Sequence, residues 1–194
     1  SHRSQPSQPA FSMLGAVVPQ PGDPRLSLNN QPWSQPVVFD ATTASLRWQQ
    51  QLARGWKLVA HGATQRLRTD DRLAFPYGCT AEGAFVRYFS DGTYDLYDFR
   101  SEGERRRIDA LDVSVQGRLE SGPVSHAVTV GALRSRTRDR LPPQAFNLVG
   151  VGNVAGTLFT PPDPTLVGDT VLRDEDSTEL YARDAIAFGP RWTA

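Results

Sequence analysis

Little in this chain can be oxidised, hold a soft metal or cross a bilayer as a helix. Its 194 residues include one cysteine, Cys79, and one methionine. A lone cysteine excludes an intramolecular disulfide framework and a cysteine-rich zinc site. The three histidines, His2, His61 and His126, are too scattered to form a metal cluster, so no metal site and no cofactor are expected. Of the 21 Lys and Arg residues only Lys57 is a lysine, and 21 Asp and Glu balance them. With no net charge there is no basic excess to draw nucleic acid. No charged stretch leading into an apolar core opens the chain, so no signal peptide is visible. No apolar run approaches the ~20 residues of a transmembrane helix. That absence carries no weight against a β-barrel, whose strands alternate instead.

What is present is punctuation and a period of two. Residues 1–42 show no sustained period. Pro6, Pro9, Pro19, Pro21, Pro24, Pro32 and Pro36 forbid a helix there, so a long loop is expected. From Thr43 to Leu52 the chain alternates: Ala44, Leu46, Trp48 and Leu52 against Thr43, Ser45, Arg47, Gln49 and Gln51. A turn at Arg54-Gly55 leads into a second strand from Trp56 to about Thr69. The stretch from Asp70 to Cys79 reads as a loop. Residues 83–101 read as a hairpin about Asp91-Gly92.

The clearest strand covers 108–120, with Leu111, Val113, Val115 and Leu119 opposite Asp112, Ser114, Gln116, Arg118 and Glu120. Ser121-Gly122-Pro123 turns it into another strand. A long irregular stretch follows, and a last strand runs from Ser177 to Phe188. The expected organisation is a single domain over 1–194. It comprises a loop at 1–42, strands and hairpins at 43–137, a loop at 138–176, and a strand with the start of the next at 177–194. The clear strands run to about 10–14 residues, whereas globular strands average about 5–6 and strands that cross a membrane tilted need about 9–11. Short turns alternate with long loops, as at the two rims of an outer-membrane barrel.

Several local patterns suggest chemistry that their context denies. Gly150-Val151-Gly152-Asn153-Val154-Ala155 fits G-x-G-x-x-[GA], but Pro161, Pro162 and Pro164 follow where a phosphate-binding helix is required. Ser125-His126 with Asp109 or Asp112 has the residue types of a hydrolase. Neighbours on a strand point to opposite faces, so Ser125 and His126 cannot readily share a hydrogen bond. No enzyme is expected. Arg105-Arg106-Arg107 is a basic run placed to meet phosphates or simply to be solvated.

Two segments carry a family resemblance. Residues 121–136 read Ser-Gly-Pro-Val-Ser-His-Ala-Val-Thr-Val-Gly-Ala-Leu-Arg-Ser-Arg. With the strand before them they resemble a recurrent hairpin of TonB-dependent outer-membrane receptors of the siderophore-uptake branch. Residues 177–192, Ser-Thr-Glu-Leu-Tyr-Ala-Arg-Asp-Ala-Ile-Ala-Phe-Gly-Pro-Arg-Trp, are similar to another stretch of those barrels, except that Arg183 stands where glutamine is common.

The resemblance implies an all-β fold, an antiparallel transmembrane β-barrel segment with the plug domain absent. It implies a receptor in the outer membrane of a Gram-negative bacterium that takes up a ferric siderophore or similar chelate. Its partners would be outer-membrane lipid and lipopolysaccharide, and the TonB energy-coupling complex through the plug. Trp48, Trp56 and Trp192 would form interface aromatics, and Trp33, Tyr77, Arg87, Tyr88, Tyr94, Tyr97 and Arg100 would contact the chelate. The competing expectation is a soluble β-barrel or β-sandwich that binds a small ligand inside, with its apolar residues covered.

Overall fold

A computed structural model describes residues 1–5, 25–83, 89 and 91–188, with the backbone of 192–193. Among the described residues the chain is an antiparallel all-β sheet, with one short helix, the 3-10 turn Thr80–Glu82. The strands are β1 (His2–Gln5), β2 (Val37–Ala53), β3 (Trp56–Pro76), β4 (Thr93–Ser121), β5 (Val124–Leu141), β6 (Ala145–Asn153), β7 (Val171–Phe188) and β8 (Trp192–Thr193). Their order across the sheet is β1-β2-β3-β4-β5-β7-β8, with β6 paired to β4 off this path. Among the described residues β1 and β8 are not paired, so the path does not close.

The hairpins form where a turn residue permits them. Between β2 and β3 only Arg54-Gly55 intervene, and Gly55 takes φ +79°. Between β4 and β5 the turn is Gly122-Pro123, with Gly122 at φ +61°. A glycine at the first of two central positions, followed by a residue fixed at negative φ, suits a hairpin turn of type II′.

The strands outrun their expected bounds. β2 begins at Val37, inside the expected 1–42 loop, and β1 lies there too, pairing His2 with Asp40 and Gln5 with Val37. β3 continues through Asp70-Asp71 to Pro76, where a loop was expected. Of the expected 83–101 hairpin, residues 84–88 and 90 lie outside the described residues. Its second arm is the start of the 29-residue β4. The expected 138–176 loop contains β6 and the first residues of β7.

One physical reason is local. Gly103 sits at φ +77°, and the alternation changes phase there. Glu102 bonds Arg72 while Glu104 bonds Thr69, two residues on opposite faces of β3. A strand that shifts phase at a glycine has no single period for a sequence to display.

The chain divides into two compact units. One comprises Ser1–Ala41, Leu67–Arg105 and Arg140–Val171; the other comprises Thr42–Arg66, Arg106–Asp139 and Leu172–Ala194.

The first unit has a small core of Leu28, Ala74, Tyr94 and Leu96, with Leu26, Trp33 and Val149 packed against it. Two loops knit together beside it. Buried Gln31 donates to Leu158 O (2.9 Å) and accepts from Thr160 N (2.9 Å), so its amide stands in for a strand partner. Asn30 donates to Gly156 O, and the Trp33 indole donates to Thr160 O. Asn29 accepts from Ala74 N and donates to Gln35 O.

The second unit is sheet alone, made of parts of β2, β3, β4, β5 and β7 with β8.

Candidate functional site

Side-chain contacts assign β2, β3, β4, β5 and β7 of the second unit to two faces. Trp56 lies over Gly117, where an added Cβ would come within 2.3 Å of the indole. Thr64 donates to Asp109 (2.7 Å) on that same face, and His126 Nδ1 meets Asp184 Oδ2 at 2.8 Å. On the opposite face Gln65 donates to Thr43, Tyr181 donates to Asp112, and Gly131 lies against Ser114 and Tyr181.

With a period of two, the first face carries Leu46, Trp48 and Leu52 on β2 and Trp56 and Leu58 on β3. It continues with Leu111, Val113, Val115 and Leu119 on β4, Val128 and Val130 on β5, and Leu180, Ile186 and Phe188 on β7. The second face carries Arg47, Gln49 and Gln51, then Asp112, Ser114, Gln116 and Arg118, then Ser125 and Thr129, then Glu179 and Arg183. The apolar face is open: Leu46 is 76% exposed and Leu180 84%. Each fully covered side chain of that kind would gain roughly 1.5–3 kcal/mol on leaving water. His126 and Asp184 lie on the apolar face, and their mutual contact spares each an unpaired polar atom there.

The first unit carries a different surface. Phe75, Tyr77, Tyr97, Phe99 and Phe146, from β3, the residue after it, β4 and β6, meet ring to ring. Tyr97 and Phe146 stack at 4.5 Å between centroids and 9° between planes. Phe75 and Tyr77 approach Phe146 edge-on at 5.7 and 5.9 Å. Tyr77 and Phe146 remain exposed. Removal from water, with Asp95 adding to it, raises the pKa of the Tyr97 phenol, so it keeps its proton as a donor.

The expected ligand residues are placed very differently from one another. Tyr77 and Tyr97 stand together in the aromatic cluster. Trp33 is half-buried and spends its indole N–H on Thr160. Tyr94 is a core residue whose ring fills the space left by Gly152. Arg100 makes two 2.9 Å bonds to Asp98, which is fully buried, so its charge is already met. That pairing raises the Arg100 pKa further. Arg87 and Tyr88 lie outside the described residues, as does the side chain of Trp192, whose backbone pairs with Phe188.

Phe75, Phe99 and Phe146 escaped the sequence reading. Their signal was the two-residue spacing of Phe75 with Tyr77 and of Tyr97 with Phe99.

The remaining motifs resolve simply. Gly150 and Gly152 lie within β6, with no helix after them. The arginine run is divided by alternation, Arg106 bonding Asp139 and Arg107 bonding Asp109. Among the described residues no group of three or more His, Cys, Asp or Glu side chains is arranged to hold a metal ion. Among the described residues no helix is long and apolar enough to cross a membrane. No family model matches the chain, and no curated protein matches it.

Proposed function

We propose that this chain forms part of the β-barrel of an outer-membrane receptor, of the TonB-dependent, siderophore-uptake kind that its 121–136 and 177–192 segments resemble. The observation that carries the reading is the two-faced sheet of the second unit. A soluble barrel or sandwich covers its apolar face. Here Leu46, Trp48, Leu52, Leu111, Leu119, Val130 and Leu180 are open on one face, and the other is mostly polar, with buried Val59 and half-buried Leu133 among its large apolar exceptions. That is the pattern of a sheet between lipid and an aqueous lumen.

The apolar stretches of β2, β4 and β7, 44–52, 111–119 and 180–188, each take nine residues. At about 3.3 Å per residue and a tilt near 45° they span roughly 20 Å, close to the ~25 Å apolar band of such barrels.

The aromatic cluster at Tyr77, Tyr97 and Phe146 is the surface for the cargo, a ferric chelate with planar or aromatic groups. Edge-to-face and stacked ring contacts contribute about 0.5–1.5 kcal/mol per pair, and the Tyr97 hydroxyl is a donor for chelate oxygens. The receptor performs no covalent chemistry on the chelate. It binds at one side and releases inward when energised through the TonB complex.

The test is detergent dependence. The purified chain should stay dispersed, with a β-sheet circular dichroism spectrum, only above the critical micelle concentration of an uncharged detergent. A ferric catecholate should then quench its tryptophan and tyrosine fluorescence. A monomer that folds cooperatively in plain buffer would overturn the membrane reading. A micelle-bound chain that no ferric chelate quenches would overturn the cargo.

A further inference from the structure

One row of the apolar-bearing face carries charge that the fold neutralises only in part among the described residues. The Thr64–Asp109 bond fixes β3 against β4, the Gly131–Ser114 approach fixes β5 against β4, and the Arg136–Asp174 pair fixes β7 against β5. Asp109 and Arg136 therefore fall in one row with Thr64. One step further, at a two-residue repeat, the row is Arg66, Arg107 and Arg138.

Neighbouring strands lie about 4.8 Å apart, and like charges facing each other across them destabilise a sheet. The nearby carboxylates offset this arrangement incompletely. Asp109 pairs with Arg107 at 2.8 Å. Asp174 and Asp176 are shared among Arg134, Arg136 and Arg138, with contacts as long as 3.8 Å. Counting Arg66, five guanidiniums in this row and the two beside it meet three carboxylates, and the Arg134 side chain is 72% exposed. On the other side of these rows the same face becomes apolar at Val113, Val115, Val130 and Leu180.

We propose that this row is the docking site of a membrane lipid with a phosphate headgroup. The phosphate lies across Arg66, Arg107 and Arg138, and the acyl chains lie along Val113, Val115, Val130 and Leu180. A guanidinium presents paired donors that match two phosphate oxygens at once, which a lysine cannot do. Free phosphate would gain the arginines without the apolar strip. A neutral lipid would gain the strip and leave the arginines repelling one another. Only an anionic amphiphile satisfies both halves. The proposal rests on the reading of this face as the lipid-facing one.

The experiment uses the full chain folded in micelles of an uncharged maltoside detergent. Energy transfer from its tryptophans to a dansyl-labelled phosphatidic acid reports binding. Unlabelled phosphatidic acid, diacylglycerol of the same chain length and inorganic phosphate compete. Phosphatidic acid should compete at least about tenfold better than diacylglycerol, given several-fold per arginine at an anionic headgroup. Inorganic phosphate at the same concentration should not compete.

R66Q/R107Q/R138Q should bring the two lipids to within about twofold of each other. R47Q/R118Q/R183Q, which removes three arginines from the opposite face, should leave the preference intact. If the first triple variant loses its β-sheet circular dichroism, R107Q and R138Q are read singly, each with a several-fold loss. Equal competition by both lipids, a preference that survives R66Q/R107Q/R138Q, or competition by inorganic phosphate would each overturn the headgroup site. Failure of the wild-type chain to associate with any micelle would instead overturn the lipid-facing reading, and the site with it.

Discussion

The ring of Tyr97 on β4 lies flat against that of Phe146 on β6, 4.5 Å away and 9° from parallel. The strand register pairs Tyr97 with Leu148 and Phe99 with Phe146, so the stack is a diagonal contact across the pair. A diagonal contact needs long flat side chains, which both residues supply. The irregularity between Leu96 and Tyr97 sets this diagonal, because it shifts which β6 residues face the aromatic side chains of β4.

Phe146→Ala should therefore remove the surface against which Phe75, Tyr77, Tyr97 and Phe99 all rest. Binding of a ferric catecholate, read by fluorescence quenching, should weaken by about tenfold if two ring contacts of 0.5–1.5 kcal/mol each are lost. Tyr94→Phe is the comparison. Its ring is buried and its hydroxyl makes a 3.3 Å bond to Asn153 O, so chelate affinity should stay within twofold.

Val115→Arg tests the apolar face at the middle of the 111–119 stretch. An arginine at the middle of a bilayer costs about 2–4 kcal/mol on a lipid-facing strand position. The micelle-associated fraction, measured by sedimentation against detergent concentration, should fall sharply. Thr129→Arg adds the same charge on the polar face beside Gln116 and Tyr181 and should leave that fraction unchanged. Equal loss in both variants would contradict the assignment of faces.

Asp71 carries the pH dependence most easily isolated. Burial, and then repulsion from Glu104 and Asp70, raise its pKa above the ordinary carboxylate value, and its Oδ1 has no hydrogen-bond partner. A carboxyl with a raised folded pKa binds its proton more tightly in the folded state. Its charge then opposes folding once pH exceeds the unfolded value of 3.8 and climbs through the folded one. Asp71→Asn should thus raise the urea midpoint at neutral pH. The gain should vanish below about pH 4, where both states are protonated. A gain of equal size at pH 3 and pH 7 would show that charge is not the cause.

The hairpins were legible because alternation and turn chemistry agree there: Arg54-Gly55 and Gly122-Pro123 sit where the apolar period pauses. The long continuation of β4 was not, because Gly103 shifts its phase and Arg105-Arg106-Arg107 imitates a solvated loop. In β4 those arginines divide between Asp139 on one face and Asp109 on the other, contacts over separations of 33 and 2 residues. Of the candidate ligand residues, Tyr77 and Tyr97 were visible as aromatic residues near turns. Phe146 was not, since nothing local announces that β6 skips past β5 to pair with β4. Arg100 is among the chelate contacts that the family resemblance implies. Its partner Asp98 stands only two residues away, but the burial that makes the pair strong is a tertiary property.

Gln31 offers the sharpest stability test. It is buried, its amide nitrogen donates to Leu158 O, and its amide oxygen accepts from Thr160 N. Among the described residues no other group bonds these two backbone atoms, and the Trp33 indole bonds the next group along, Thr160 O. Gln31→Ala removes both partners at once. Each backbone group left unsatisfied under cover costs about 1–3 kcal/mol. The 154–165 stretch should open before the rest of its unit, freeing the backbone beside Leu158 and Phe159, whose side chains are already exposed, for a protease of broad apolar specificity. Gln31→Glu separates the two bonds, because a carboxylate can still accept from Thr160 N but repels Leu158 O. Cleavage should be faster in Gln31→Glu than in the wild type. Unchanged cleavage in both variants would mean that the loop is held by Asn30 and Trp33 alone.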